Sequence, residues 1–77
     1  MGELVAELAR RLVDEPDAVQ VEEVEEEDGT LLLRLHVAEA DIGKVIGRQG
    51  RMARALRALV RTASARADTR MLLEIAE

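Results

Sequence analysis

Gly43-Lys44-Val45-Ile46-Gly47-Arg48-Gln49-Gly50 carries two apolar residues into a Gly-x-x-Gly turn, and an arginine-rich helical pattern begins directly after it at Arg51. Glycines at 47 and 50 permit a tight bend at φ values that other residues avoid, and they keep side chains clear of an approaching ligand. The turn opens a helix, whose first amide N–H groups lack intrahelical acceptors and carry partial positive charge. Lys44, Arg48 and Arg51 add full charges around the same turn. A phosphate could therefore be held by backbone donors and reinforced by side chains. Two glycines at this spacing are also common in plain helix-to-helix connections, so the flanking sequence has to decide.

On the near side, Ala40 to Ile46 reads as a short helix, started by Asp41 as an N-cap and ended at Gly47. Gly43 costs that helix about 1 kcal/mol relative to alanine, which makes sense if another helix or a nucleotide has to approach closely. On the far side, Gly50 to about Ala65 is amphipathic. At about 100° per residue, Met52, Leu56, Leu59, Val60 and Ala63 cluster on one side, and Arg51, Arg54, Arg57 and Arg61 on the other. Arg51 and Arg54, within the first turn or so after the glycines, are expected to contact phosphate. Arg57 and Arg61 read as a solubilising outer face.

Further out, strand and helix periods alternate. Glu3 to Val13 predicts a helix with Leu4, Val5, Leu8 and Leu12 on its packing face, stopped by Pro16. Ala18 to Glu25 predicts a strand in which Val19 and Val21 alternate with polar residues, while Val24 falls out of phase and suggests a bulge or frayed end. The acidic run Glu25 to Asp28 ends in Asp28-Gly29, a hairpin signal. Thr30 to Val37 predicts the clearest strand, with Leu31, Leu33, Leu35 and Val37 on one face and Leu32, Arg34 and His36 on the other. Arg66 to Thr69 predicts a polar turn, and Met71 to Ala76 a closing strand with Met71, Leu73 and Ile75 inward.

The segment Ile42 to Leu56, an apolar pair followed by GxxG with basic residues in the loop, resembles the signature of the K homology (KH) domain, which clamps about four backbone nucleotides. The resemblance extends over nearly the whole chain. Helix, strand, strand, helix, GxxG, helix, strand is the type II KH order of bacterial proteins, and at this length the chain looks most like the short bacterial single-KH RNA-binding proteins. One departure is Ala53, three places after the second glycine, where many KH domains carry a branched apolar residue. The resemblance implies that the helix bearing Gly43 lines one wall of a binding groove. It also places the Arg66–Thr69 turn where a variable loop borders that groove, making Arg66 and Arg70 secondary candidates.

Composition narrows the function classes. A chain of 77 residues is read as one domain, 1–77, and a domain this small buries only roughly 60% of its unfolded surface. The absence of cysteine excludes disulfides, thiolate metal sites and thiol catalysis. His36 is the only histidine, so a metal centre or a histidine base with an apposed nucleophile finds no partner residues. Gly43-Lys44 and the later glycines lack the GxxxxGK[ST] spacing of a phosphate loop. No enzyme activity, cofactor, metal or small-molecule substrate is expected. No apolar run approaches the roughly 20 residues needed to span a bilayer, and the cytoplasm is the expected compartment.

Charge is divided along the chain. Residues 1–42 hold 3 basic and 13 acidic side chains, residues 43–77 hold 8 basic and 3 acidic ones, and the whole carries −5. A local basic face can steer a polyanion while the acidic remainder discourages unspecific contact. With no Phe, Tyr or Trp, the aromatic stacking platforms of RRM and OB-fold binders are missing.

The expected fold is a two-layer α+β domain of type II KH architecture (αββααβ), with a three-stranded mixed sheet and helices on one face. The expected activity is RNA binding, as an RNA chaperone or post-transcriptional regulator. About four nucleotides of single-stranded RNA would lie with phosphates over Gly47, Arg48, Gln49 and Gly50, and with bases against Ile42, Val45 and Ile46. Gly43, Lys44, Arg51 and Arg54 complete the candidate site. A groove without stacking binds weakly, so a homodimer or a heterodimer with another RNA-binding protein would raise avidity. Two alternatives are a single-stranded DNA binder and a protein-interaction adaptor of KH shape that uses outward Leu32 and Leu72.

Overall fold

The computed structural model describes residues 1–76, with the side chain of Arg48 outside that description. In chain order it contains α1 (Gly2–Leu12), a 3-10 turn at Pro16–Ala18, β1 (Gln20–Glu25), β2 (Leu31–His36), α2 (Glu39–Ala67) and β3 (Met71–Ile75). β2 is the central strand, antiparallel to β1 and parallel to β3. The mixed three-stranded sheet expected from the sequence is therefore realised, as an α+β fold.

Strand alternation sets the core. Leu33 and Leu35 of β2 are fully buried and pack with Val5, Ala6 and Ala9 of α1, Val19 ahead of β1, and Leu56 and Val60 of α2. Leu31, Leu73 and Ile75 close the same face from partly buried positions. Truncating a fully buried leucine such as Leu33 to alanine typically costs about 2–5 kcal/mol.

Two sequence expectations about packing are corrected. α1 does not present Leu4 and Leu12, which remain 44% and 47% exposed; it buries Val5, Ala6 and Ala9. Small side chains let the helix axis come close to the sheet, and at Gly2 a Cβ would fall 2.7 Å from the Glu23 carboxylate. That carboxylate lies at the positive end of the helix, where a negative charge is favoured. Nor is there a bulge at Val24. The register from Gln20↔His36 to Glu25↔Leu31 is unbroken, and Val24 instead joins Leu32 and Leu72 in an apolar row across the outer face of the sheet. The neighbouring row is ionic: Arg34 reaches Glu74 at 2.8 Å and Glu22 at 3.6 Å.

The hairpin forms where Asp28-Gly29 predicts it. Gly29 takes φ 89°, the Glu26 amide donates to the Thr30 carbonyl at 2.8 Å, and the Asp28 carboxylate accepts the Thr30 amide at 2.9 Å. That last bond holds Asp28 below its usual carboxylate pKa.

Candidate nucleic-acid interface

The two helices expected around the glycines are one helical element, α2, bent inside. Gln49 and Gly50 both adopt left-handed φ, 63° and 68°. A right-handed helix cannot continue through two such residues without a change of direction. The bend falls two residues later than the sequence suggests: Gly47 does not take positive φ, and the non-glycine residue Gln49 does. An unbranched polar side chain tolerates that region better than a β-branched one.

Asp41 anchors the first arm of α2, though not as its N-cap. The cap position is Ala38, with no side-chain bond. Asp41 sits in the first turn, is buried to 1% exposure, and accepts the amides of Asp14 and Glu15 at 3.1 and 3.0 Å. A buried carboxylate is tolerated only when its oxygens are hydrogen-bonded, and here the donors come from the segment that follows α1. Lys44, one turn on, pairs with Asp14 at 2.9 Å, so this candidate cation already has a partner within the chain.

Helical periodicity then sorts the apolar residues. Val45 is fully buried, which corrects the expectation that its side chain forms part of an exposed wall. Ile42 is half-buried and Ile46 is 41% exposed, and these two flank Gly43, where a Cβ would meet nothing within 4 Å. Among the described residues, no second helix packs on Gly43. Ile42 and Gly43, together with Glu39, His36, Val37 and Ala76, line an open cleft of roughly 680 Å³ at the ends of β2 and β3. The sequence places His36 at a solvent face or cleft rim; it stands on this rim, 3.5 Å from Glu22.

At the bend, Gln49 is exposed and Gly47 and Gly50 are half-buried. Among the described residues, no side-chain carboxylate accepts an amide of residues 47–50; the carboxylates that take backbone amides are Asp41 and Asp28. Arg51 is exposed and, among the described residues, in no ion pair. Arg54 has a second employment that the sequence did not reveal. Its Nε donates to the Gln49 carbonyl at 3.1 Å and its Nη2 donates to the same oxygen, so the guanidinium braces the bend and keeps further N–H donors free for an anion. Arg48, an expected site residue, has its side chain outside the described set. Ala53, the departure noted above, is buried at 4% exposure, so the second arm packs closely there without a branched residue.

Beyond the bend, the second arm runs to Ala67, two residues further than expected, and Asp68 ends it at φ 53°. Ser64 ties that end to β3 by donating to the Thr69 carbonyl at 2.6 Å and accepting the Met71 amide at 3.1 Å. Arg66 therefore belongs to the last helical turn, and residues 68–70 make the connection to β3.

Known proteins match this arrangement over its whole length. The family model for the KH domain of KhpA and KhpB matches residues 2–75. The RNA-binding protein KhpA of Caldanaerobacter subterraneus subsp. tengcongensis is 48% identical over 75 residues, covering 97% of this chain and 99% of that protein. The RNA-binding proteins KhpA of Treponema pallidum and Listeria monocytogenes are 49% and 42% identical, covering 95% and 100% of this chain and 90% and 100% of theirs. Among solved structures, an Aquifex aeolicus Era variant bound to GDP and aluminium fluoride superposes with a TM-score of 0.59 at 19% identity, over 96% of this chain and 28% of that one. That likeness is one of fold.

Proposed function

The chain belongs to the KhpA/KhpB family of KH domains, and from that premise we propose that it binds single-stranded RNA, holding about four nucleotides along the first arm and bend of α2. The observation that carries this reading is the bend itself: a left-handed pair, exposed Gln49 and half-buried Gly50, with Arg51 and Arg54 beside it and, among the described residues, no carboxylate on its amides. Phosphates lie over residues 47–50, with Arg48 and Arg51 reinforcing the backbone donors and Arg54 holding the bend in shape. Bases rest against Ile42 and Ile46, and Gly43 lets the strand approach the helix between them. Val45 supports this wall from beneath. Lys44 joins the phosphate contacts by exchanging Asp14 for the ligand. The protein acts in the cytoplasm as an RNA chaperone or post-transcriptional regulator, pairing with a second copy or another RNA-binding protein for avidity, and it performs no catalysis.

Affinity for short homopolymer RNAs and their DNA equivalents, measured at two salt concentrations, tests the reading. RNA binding is expected to weaken as salt rises, with a slope of about 0.7 in log K per log salt for each phosphate held. Binding that ignores salt would remove the clamp, and equal affinity for DNA would recast the protein as a general single-strand binder. One observation favours a second reading, a protein adaptor: Leu72, at 42% exposure, lies in the apolar outer row with Val24 and Leu32. An adaptor keeps its crosslinked protein partners after nuclease treatment, whereas an RNA binder loses them.

A further inference from the structure

The sheet has two faces, and the chain covers one of them. α1 and α2 pack on the side of Leu33 and Leu35, while strand alternation turns Val24, Leu32 and Leu72 to the other side. Among the described residues no helix lies over that side, where Leu72 is exposed and Val24 and Leu32 are half-buried. A sheet packed on one face ordinarily turns polar side chains to water on the other. The row of Glu22, Arg34 and Glu74 obeys this rule; the apolar row beside it does not.

The dimensions of the apolar row suit a helix. Its three residues sit on three adjacent strands, so they repeat about every 4.8 Å and span about 10 Å. Side chains at i, i+4 and i+7 of a helix repeat about every 5.4 Å and span about 10.5 Å. Same-side residues of an extended segment are about 6.7 Å apart and span about 13 Å over three, so they fall out of step with the strands. Charge then selects the kind of helix. Arg34 is already held by Glu74 at 2.8 Å and Glu22 at 3.6 Å, two carboxylates to one guanidinium. Arg70, at the hairpin end of the same face, acts on the carboxylate of Asp28. β1, at the margin, belongs to a stretch from 14 to 28 with nine carboxylates and no cation. A second copy offering the same face would bring like charge against this one, whereas a cationic partner complements it.

We propose that the outer face of the sheet docks a basic amphipathic helix of a partner protein, laid across the strands with its apolar side chains on Val24, Leu32 and Leu72. Its lysines or arginines meet Glu22, Glu74 and the acidic margin of β1. This surface lies across the sheet from α2, so its occupancy does not depend on the RNA-binding reading above. The two surfaces together let one small domain hold a nucleic acid on one side and a protein on the other.

Amide NMR spectra of the isotope-labelled protein, titrated with a synthetic helical peptide, test the docking. The probe is an alanine-based helix of about 14 residues, or about 21 Å, with leucines at i, i+4 and i+7 and lysines on both flanks. Shifts are expected to concentrate on Val24, Leu32, Arg34, Leu72 and Glu74, with a Kd on the order of 100 μM for so small a contact. Replacing the lysines of the peptide by glutamate, or its leucines by serine, is expected to weaken binding at least about tenfold. The variant Leu72→Thr keeps a good strand former at an exposed position and is expected to lose affinity to a similar extent with an unchanged circular dichroism spectrum. Equal binding of the glutamate peptide overturns the charge selection, and equal binding of the serine peptide overturns the apolar contact. Shifts confined to α2, or none at about 1 mM peptide, overturn the docking site. Outer-face signals that broaden with protein concentration alone also overturn it, by giving the face to a second copy.

Discussion

The hairpin tip and the α2 bend are both built on left-handed residues, Gly29 in one and Gln49 and Gly50 in the other, yet the chain finishes them in opposite ways. At the hairpin, the protein supplies its own anion: Asp28 takes the Thr30 amide, within the acidic run Glu25 to Asp28. At the bend the side chain that closes on the backbone is a cation, Arg54, and it takes a carbonyl. The first turn is sealed against anions and the second is left open to them. A left-handed turn is therefore no binding site in itself; what the neighbouring side chains do with its amides and carbonyls decides.

Making the bend resemble the hairpin is the severest test of this contrast. Replacing Arg48 and Gln49 by aspartate puts carboxylates beside the amides of residues 47–50, and RNA affinity is expected to fall at least about a hundredfold, or about 2.7 kcal/mol, with an unchanged circular dichroism spectrum. Retained affinity would mean that the two turns do not differ in the way described. The opposite manipulation, removing a carboxylate that does occupy amides, is expected to act on stability. Asp41→Ala leaves the amides of Asp14 and Glu15 without their acceptor and should cost about 2 kcal/mol, read as a lower midpoint in urea. Asp41→Asn keeps one acceptor oxygen and should cost less.

The smallest effect sharpens the comparison where the acidic and basic regions touch. Lys44 and Asp14 form an exposed pair, worth about 0.2–1 kcal/mol. Asp14→Asn frees the ammonium for a phosphate and is expected to raise RNA affinity about two- to fivefold at low salt, with the gain fading as salt rises. A fall in affinity would place Lys44 outside the RNA contacts.

How much of this was legible in the sequence depends on the range of the interaction. Strand alternation from Leu31 to Leu35 and the Asp28-Gly29 turn are properties of neighbouring residues, and they were read correctly. The family signature and the basic cluster about the glycines were visible for the same reason. The role of Asp41 was hidden because its partners lie 26 and 27 residues away. α1 was misread because leucines outweigh alanines on any hydropathy scale, while the close approach at Ala6 and Ala9 depends on what packs against them. Val45 was set on the same wall as Ile46, and its inward turn was missed, since two adjacent apolar residues differ by only about 100° around a helix. Arg54 looked like a phosphate contact equivalent to Arg51 until the position of the bend at Gln49 was known.

The ordering of the sheet has one more consequence. Residues 14–28 hold nine carboxylates and no cation, and they run along β1 at one margin of the sheet, while β3 and the arginines of α2 stand at the other. A body so polarised feels a torque in the field of a polyanion before the two touch. It arrives already turned, so a larger share of collisions is productive, and capture speeds up without any single contact becoming tighter.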